Sequence, residues 1–379
     1  MKRLLLIGAG HAHAQVLKDW ITTPVPGCEL VVVSPSAWAP YSGMVPGWLA
    51  GSYRFDEICI DFEVLARAAG AHLVIDELVG LDPQRRRVHL RRGGTLDYDV
   101  MSLNVGSTLN PPAQRRGTRV LSLRPLGGLH HAWEALLGDP ELTTVDTPLT
   151  VTAVGGGAAG VEALLAVLAR LRALRPGRPI HAGLLTRSTT LLPGMAPGAA
   201  RSAQVALAAA RVTVSVRVDR FESAAPASDL LLWATGAHAH AWQRDCGLAA
   251  SEHGFIRIDA RLHSVSHPEV HAVGDCAEWS DPLPKAGVYA VRMGPVLSRN
   301  LRAALGDGAP IEYIPQRRFL ALLSTADGAA IAAWGRWSVR GRWVWRWKDR
   351  IDRGFLRRFA VARPLDRSAA VPPSPPGGR

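Results

Sequence analysis

Two glycine-rich turns, each directly after an apolar run, are the features of this sequence with the clearest chemical meaning. At such a turn a strand passes into a helix, and the pyrophosphate of a dinucleotide approaches the backbone at the positive end of that helix. One such turn arises by chance in glycine-rich loops, whereas two predict a protein that holds two dinucleotides together, as in electron transfer from a nicotinamide to a flavin. The turn glycines are Gly8 and Gly10 in the first case, and Gly155, Gly157 and Gly160 in the second.

The residues at the ends of the neighbouring strands bear on which nucleotide binds. An acidic residue there would accept hydrogen bonds from ribose hydroxyls. Instead, Ser34 ends the strand that follows the first turn, and Thr186-Arg187 ends the strand that follows the second. Ser34 either hydrogen-bonds a ribose or is an ordinary serine at a strand end. Arg187 either accepts a 2′-phosphate, which would favour NADPH, or is a surface arginine in an arginine-rich chain.

Three charged residues close to glycines are candidates for contact with a reactive ring. Glu162 follows Gly160 by two positions, so it either reaches a nicotinamide or flavin or is an acid favoured by the helix dipole. Asp275 follows a strand that ends at Gly274, and it either accepts hydrogen bonds from ribityl hydroxyls or caps a helix. Lys285 either neutralises the negative charge of a reduced flavin or is a solvated lysine. We expect Glu162 and Lys285 to be the catalytic side chains.

Metal and thiol chemistry are not expected. His11 and His13 have no further ligands at a plausible spacing, so no metal site is predicted. No two cysteines have C-x-x-C spacing, which argues against a redox-active disulfide and favours a reducing compartment. The cysteines are Cys28, Cys59, Cys246 and Cys276.

Length and charge narrow the class of protein. A chain of 379 residues is long enough for about two or three domains. The formal charge of +12 suggests an anionic partner, such as cofactor phosphates, acidic lipid or nucleic acid. Nucleic acid has only the charge in its favour and is not expected. No run of about 18 apolar residues is present, so no membrane-spanning helix is predicted and a cytoplasmic protein is expected.

The remaining elements form a βαβ pattern with two irregular parts. Turn-forming residues across 40–47 predict an irregular loop that lines a site. Residues 329–339 and 342–347 flank Arg340-Gly341 and predict a hairpin with an aromatic face, because the tryptophans in the second segment alternate with period two. Residues 348–359 predict a short helix, and the segment after Pro364 predicts a disordered tail.

The C-terminal part also concentrates basic and aromatic residues. Nine lysines and arginines lie between Arg336 and Arg358, and five of the twelve tryptophans lie between Trp334 and Trp347. This segment either contacts an anionic membrane surface, with the aromatic rings at the interface, or packs its tryptophans on the rest of the protein with the arginines in water.

Five motifs in a fixed order resemble those of the FAD-dependent pyridine nucleotide-disulfide oxidoreductase superfamily. Within it, the resemblance is to the type II NADH dehydrogenase-like branch, and most of all to the flavoprotein module associated with selenide, water dikinase. The resemblance covers nearly all of residues 2–359. The motifs are GAGHAH at 8–13, YSGMVPG at 41–47, WATG at 233–236, GDC at 274–276 and KAGVYAVR at 285–292.

The resemblance implies an α/β fold with two Rossmann-like dinucleotide-binding domains, an FAD domain with an inserted NAD(P) domain, and a C-terminal hairpin-helix cap. The implied segments are 1–112 and 256–308 for the FAD domain, 113–255 for the NAD(P)H domain, 309–362 for the cap and 363–379 for the tail. The implied FAD contacts are Gly8, Gly10, His11, Ser34, Ser42, Gly106, Asp275, Ala286 and Gly287. The implied NAD(P)H contacts are Gly155, Gly157, Gly160, Arg187 and Gly236, with Glu162 beside the nicotinamide.

The implied activity is an FAD-dependent oxidoreductase that passes hydride from NAD(P)H to FAD and on to a small-molecule acceptor. Quinone is one candidate acceptor, although Val288 and Arg292 stand where related quinone reductases usually carry glutamines. One alternative is a sulfide:quinone reductase-like enzyme, which would need thiols near the flavin. Another is a flavin-bearing partner of selenide, water dikinase without turnover of its own. Peripheral attachment to the inner face of the cytoplasmic membrane through 336–359 stays open.

Overall fold

Two parallel five-stranded sheets form the centre of the computed structural model, which describes residues 1–112, 117–143, 146–219, 221 and 227–361. In the first sheet the strand order is β16-β9-β1-β2-β5, and the first glycine turn follows the central strand β1. Its strands come from two parts of the sequence, one before and one after the segment that forms the second sheet. The bounds are β1 Lys2–Ile7, β2 Cys28–Ser34, β5 His72–Ile75, β9 Val100–Leu103 and β16 Val270–Ala272.

The second sheet repeats this arrangement. Its order is β10-β14-β11-β12-β13, and the second glycine turn follows the central strand β11. Every pairing in both sheets is parallel, so the carboxyl ends of the strands in each sheet share one edge. The bounds are β10 Arg119–Ser122, β11 Leu149–Val154, β12 Ile180–Leu185, β13 Val212–Ser215 and β14 Leu230–Trp233.

Smaller sheets surround these two. The C-terminal sheet β18-β19-β20 is antiparallel and packs beside the second sheet through its buried residues Leu323 and Ile331. The bounds are β3 Trp38–Pro40, β4 Cys59–Asp61, β6 Leu78–Asp82, β7 Arg87–Leu90, β8 Thr95–Asp97, β15 Ile256–Arg257, β17 Ala277–Glu278, β18 Ala321–Ser324, β19 Ala330–Trp334 and β20 Trp337–Gly341.

Helices cover the sheets and carry the glycine turns at their N-termini. The first turn leads into α1 and the second into α6. The bounds are α1 His11–Thr22, α2 Val45–Leu49, α3 Phe62–Ala68, α4 Leu126–Leu137, α5 Pro140–Thr143, α6 Ala158–Leu174, α7 Pro197–Ala209, α8 Ala241–Arg244, α9 Gly287–Ala304 and α10 Arg342–Arg357.

Each large sheet has its own hydrophobic core. Where the two cores meet, each also contains residues from segments that follow or precede strands of the other part of the protein. Cys246 and Leu248 pack in the core of the first sheet. Met44 and Trp48, from the segment between β3 and β4, pack in the core of the second sheet. The two-sheet α/β fold expected from the sequence is therefore confirmed, while the domain boundaries stay predictions.

Two local predictions were wrong. The loop at 40–47 is not irregular throughout, because α2 begins at Val45, where Pro46 in the first helical turn costs no hydrogen bond. In the C-terminal part, the hairpin turns at Gly335-Arg336, one strand earlier than expected. Residues 342–347 therefore begin α10 and do not form a strand. The tryptophans that were expected to alternate along a strand instead lie on a helix, where Trp343 and Trp347 are four residues apart on one face.

None of the helices in the described part of the chain combines the length and the apolar composition that crossing a bilayer requires. The predicted tail at 363–379 lies outside the described residues.

Candidate functional site

The first glycine turn is built around the side chain of Asn104, at the carboxyl end of β9. Gly8 has a φ of 98°, and a β-carbon at Gly8 or Gly10 would collide with Asn104. The Asn104 Oδ1 accepts a hydrogen bond from the Ala12 N–H at 3.2 Å, and its Nδ2 donates to the Val273 carbonyl at 3.0 Å. One buried amide thus joins three strand ends. The sequence analysis missed Asn104, since an asparagine after an apolar strand indicates only a turn.

His13 occupies the place of a third glycine in the first turn. Its Nδ1 donates to the Gly8 carbonyl at 2.7 Å, and its Nε2 accepts from the Ser102 hydroxyl at 2.8 Å. Burial lowers the pKa of His13 to about 4, so the ring is neutral and this tautomer satisfies both nitrogens. The ring therefore braces the turn that a glycine would otherwise leave open, and it is not available as a metal ligand.

Asp275 and Ser107 meet Arg124 at the same edge. The Arg124 guanidinium ion-pairs with the Asp275 carboxylate and donates to the Ser107 hydroxyl, and it also donates to the Lys285 carbonyl at 3.1 Å. Arg124 follows β10 in the sequence, which is part of the second sheet. It therefore links the two sheets, and no sequence pattern indicated it. The predicted contact of Asp275 with a ribityl chain stays a prediction.

An aromatic cluster lies against the first turn. His11 makes edge contacts with Tyr41 and Phe355, with ring centroids 5.5 and 5.6 Å apart, and Tyr41 packs on Phe355 at 4.5 Å. The His11 Nε2 is buried and has no hydrogen-bond partner within the described part of the chain. Burial also lowers the pKa of His11 to about 4, so its ring is neutral.

Other predicted contacts of the first nucleotide lie near this cluster. A β-carbon at Gly287 would touch the Ser42 hydroxyl, so the YSGMVPG and KAGVYAVR motifs meet. Ala286 precedes α9 directly. Ser34 is buried at the end of β2, and its carbonyl accepts the Asp76 N–H at 3.0 Å. Asp76, directly after β5, thus places a carboxylate at this edge. The usual position for such a carboxylate is the end of β2, one strand nearer the glycine turn.

The second glycine turn leaves open space above part of its backbone. Gly155 has a φ of 124° and packs on the Ala234 carbonyl, and Gly160 packs on Gly155, so neither position accepts a side chain. A β-carbon added at Gly157 or Gly236 would meet no atom within 4 Å, and the same holds for Gly106 beside the first turn. These glycines let a ligand approach the backbone, so the residues present fit two dinucleotides.

Glu162 lies inside a cluster of charges that joins three elements. Its Oε1 accepts the Ser324 N–H of β18 at 2.6 Å. Burial raises the pKa of Glu162 to about 7, although the Lys348 ammonium acts to lower it. Lys348, on α10, donates to the Gly43 carbonyl and to Asp352 at 2.6 Å, and both side chains of this pair are buried. Burial likewise raises the pKa of Asp352. The sequence analysis did not find Lys348 or Asp352.

The remaining predicted residues lie apart from this cluster. Lys285 donates to the Ala277 carbonyl at 2.6 Å and lies over the Phe255 ring, and burial lowers its pKa. The Lys285 ammonium is thus already engaged within the protein, and its effect on a reduced flavin stays a prediction. Arg187 is exposed at the end of β12.

The thiols are poorly suited to nucleophilic chemistry. Each of the four cysteines is free. Cys276 is buried, with its thiol directed at the Leu103 and Val273 carbonyls, and burial raises its pKa to about 11. Burial raises the pKa of Cys59 to about 12. Thiolate is therefore scarce at both positions near neutral pH.

Comparison with known proteins supports the expected class. Residues 2–294 match the family model described as pyridine nucleotide-disulphide oxidoreductase. No curated protein matches the chain. Among solved structures, the sulfide:quinone oxidoreductase of Aquifex aeolicus is 13% identical with a TM-score of 0.75, covering 95% of this chain and 91% of its own. NDH2 of Plasmodium falciparum, in complex with NADH, is 13% identical with a TM-score of 0.74, covering 94% and 97%.

A third structure is an engineered water-forming NADPH oxidase, bound to NADPH and derived from the Lactobacillus brevis enzyme. It is 17% identical with a TM-score of 0.67, and the match covers 88% of this chain and 75% of that one. At these identities the three likenesses concern the fold.

We expect Asn104→Ala to weaken both the fold and flavin retention. The change leaves the Ala12 N–H and the Val273 carbonyl unpaired, which costs about 2 kcal/mol or more of unfolding free energy. Asn300→Ala is the matched control, because the Asn300 side chain likewise hydrogen-bonds backbone groups, three of them, but toward the end of α9. Chemical denaturation and visible absorbance measure the two effects. Equal flavin content in both variants would contradict the role given to Asn104.

We expect Glu162→Gln to change how stability depends on pH. The pKa of Glu162 is near 4.5 in the unfolded chain and about 7 in the folded protein. Between these two pH values Glu162 therefore keeps its proton in the folded protein and loses it in the unfolded chain. Across this window the wild type loses up to about 3 kcal/mol as pH rises, whereas the glutamine variant does not. Denaturant titrations at pH 5 and pH 8 measure the difference. A constant gap between the two proteins would show that Glu162 ionises normally.

Proposed function

The chain belongs to the pyridine nucleotide-disulphide oxidoreductase family, and on that basis we propose that it passes electrons from NAD(P)H through FAD to a lipid-soluble quinone at a membrane surface. FAD and NAD(P)H are its cofactors, and its general activity is that of a flavoprotein oxidoreductase. The quinone and the membrane are the proposed part. One observation carries it: the two faces of α10 point to different environments.

The outer face of α10 has the composition of a membrane-surface helix. Trp343, Trp347 and Ile351 are spaced by four and are 56%, 40% and 40% exposed. Trp337, at the start of the adjacent strand β20, is 81% exposed. Exposed arginines flank this row, and the described residues offer these five no ion pair: Arg342, Arg346, Arg350, Arg357 and Arg358. We call these residues the Trp–Arg face.

Exposed tryptophans and unpaired arginines on one helix are favoured at an anionic bilayer. Each arginine near such a surface contributes about 1 kcal/mol of attraction, and amphipathic aromatic rings settle at the headgroup level. A helix of this type lies in the plane of the interface rather than across it. The overall charge of +12 also favours attraction of the protein to an anionic bilayer.

The inner face of the same helix closes the cofactor site. Phe355 packs on Tyr41 and His11 of the first nucleotide site, and Lys348 binds the Gly43 carbonyl. An acceptor that arrives within the membrane surface would therefore meet the protein where α10 packs on His11, Tyr41 and Gly43 beside the first glycine turn. The Aquifex protein named above is a sulfide:quinone oxidoreductase, and its likeness in fold supports quinone as the acceptor class.

In the proposed reaction, bound FAD would supply the two-electron chemistry between NAD(P)H and the acceptor. Gly8 and Gly10, in the turn that Asn104 braces, would hold its pyrophosphate end, and Gly155, Gly157 and Gly160 would hold NAD(P)H. Reduction of a quinone to a quinol by NAD(P)H consumes one further proton. Glu162, with a pKa of about 7, can hold and release that proton near neutral pH.

Sulfide as electron donor is disfavoured by the thiols. A sulfide:quinone reductase-like reaction needs reactive cysteines beside the flavin, whereas the pKa values of Cys59 and Cys276 are raised to about 12 and 11. An association with selenide, water dikinase stays a prediction, as does the absence of nucleic-acid binding.

Anaerobic mixing tests the electron path. We expect NADPH or NADH to bleach the visible absorbance of the bound flavin, and a quinone embedded in anionic vesicles to restore it. If neither nucleotide bleaches the flavin, the oxidoreductase proposal fails. If ferricyanide restores the absorbance but the membrane quinone does not, the acceptor is wrong and the rest of the proposal stands.

Vesicle binding tests the Trp–Arg face. We expect Trp343→Ser with Trp347→Ser to weaken binding to phosphatidylglycerol vesicles at least about tenfold, because each ring loses its burial at the interface. Trp38→Ser is the matched control, since Trp38 is as exposed as Trp347, at 40%, but lies on β3. Co-sedimentation at low and high salt measures binding. Equal loss in both proteins, or no binding by the wild type, would contradict the membrane proposal.

A further inference from the structure

An open groove of about 460 Å³ lies between α7 and β20, away from both glycine turns. Residues spaced by three and four along α7 share one helix face, and they form the first wall. Strand β20 forms the other wall, and it is the edge strand of the C-terminal sheet in the described part of the chain. The proposed electron path uses no residue of this groove. The residues of the α7 wall are Gly198, Arg201, Ser202 and Val205.

The β20 wall turns two polar side chains toward α7. Ser338 and Arg340 are two residues apart on the strand, so they share one face of the sheet. Arg340 lies opposite Ile331 of β19, which is on the same face. Ile331 is buried in the core that also contains Ala199 of α7. The face that carries Ser338 and Arg340 is therefore the one that packs toward α7.

Polar groups of the two walls meet at Gly198. A β-carbon there would collide with the Ser338 hydroxyl oxygen and would lie 3.7 Å from a guanidinium nitrogen of Arg201. Within the described residues, the side chains of Arg201, Ser202 and Ser338 make no hydrogen bond or ion pair. One guanidinium and two hydroxyls thus face the groove with their donors unused.

Arg340 adds a further donor. Its guanidinium pairs with Asp327, but its Nε is buried and has no hydrogen-bond partner in the part of the chain that the structure describes. A buried donor without a partner costs free energy that a ligand oxygen would recover. Asp327 also accepts from the Thr325 hydroxyl at 2.6 Å and the Ala329 N–H at 3.2 Å. Its charge is therefore occupied, and no carboxylate is among the described residues that line the groove.

Apolar surface borders these polar walls. Val205 on α7 is 59% exposed, and Trp337 of the Trp–Arg face directly precedes Ser338. The strand then leads straight into α10, where a β-carbon at Gly341 would lie 3.0 Å from the Trp343 Nε1. The groove therefore adjoins the Trp–Arg face. A molecule bound here would meet both an anion-binding wall and an apolar border.

We propose that this groove binds the phosphate group of a phospholipid headgroup, with Arg201, Ser338 and the Arg340 Nε as donors. Guanidinium groups suit a phosphate because they form charge-assisted hydrogen bonds in a fixed planar geometry. A free phosphate ion offers the same oxygens but gains nothing from the apolar border. The proposal rests on the membrane surface in the proposed function and adds a specific headgroup site. A second attachment point beside α10 would fix the orientation of this helix on the bilayer.

The first experiment compares a monomeric lipid with a free ion. Dihexanoylphosphatidylglycerol, below its micelle concentration, and inorganic phosphate are each titrated calorimetrically into the FAD-loaded protein. We expect the lipid to bind at least about tenfold more tightly, because its apolar part is buried at the border of the groove. Absence of lipid binding, or equal affinity for the two probes, would overturn the assignment to a lipid.

Variants then locate the binding site. Arg201→Gln should weaken binding of the monomeric lipid at least about tenfold, because it removes charge-assisted hydrogen bonds to the phosphate. Arg211→Gln is the control: Arg211 is also exposed, has no ion pair among the described residues and follows the opposite end of α7. Unchanged affinity in Arg201→Gln, or an equal loss in Arg211→Gln, would overturn the placement in this groove.

Co-sedimentation with phosphatidylglycerol vesicles separates this proposal from the proposed function. If the wild type does not bind vesicles but binds the monomeric lipid in a way that depends on Arg201, the headgroup site stands and the membrane proposal fails. If vesicles bind and the monomeric lipid does not, the headgroup site is wrong while the membrane proposal stands.

Discussion

The packing of α10 on the rest of the site depends on the buried ammonium of Lys348. This ammonium comes from α10, binds the Gly43 carbonyl, pairs with Asp352 and lies near Glu162 on α6. A buried ammonium is costly unless its charge is compensated, so α10 can pack here only because these partners surround it. The same ammonium faces two carboxyl groups. Burial raises the pKa values of both Glu162 and Asp352, although the Lys348 ammonium acts to lower both.

The two glycine turns differ in a way that matches the two cofactor roles. The first is braced by Asn104 and His13 and covered by Phe355 of α10. The second is lined by glycines and opens to space at Gly157 and Gly236. A cofactor that stays bound through many turnovers gains from the first arrangement. One that enters and leaves in each cycle needs the second. The difference in closure comes from tertiary contacts around the turns rather than from the glycine motifs themselves.

The sequence predicted what depends on short-range pattern. Apolar strands that end in glycines located both sheets, because a buried parallel strand and a tight turn leave the same local signature wherever they occur. Arg124, Asn104 and Lys348 could not be found this way. Each acts on groups far away in the chain: Arg124 on Asp275, Asn104 on Val273 and Lys348 on Gly43. Their residue types are common at surfaces and turns, and only the fold shows that they are inside.

The C-terminal misassignment shows where periodicity fails. Tryptophans at 343, 345 and 347 satisfy a period of two, yet Trp343 and Trp347 stack on one face of a helix with ring centroids 6.3 Å apart. The inner positions Val344, Lys348 and Asp352 are also spaced by four, but two of them are charged, so they do not register as a buried face in a hydrophobicity pattern. Lys348 and Asp352 compensate each other's charge, so this partly polar stripe can form the inward face of the helix. The exposed tryptophans are then forced outward beside the arginines. The exposed row of tryptophans is therefore a consequence of the buried ion pair, because a helix that packed on the site through apolar residues alone would not need to place its tryptophans outward.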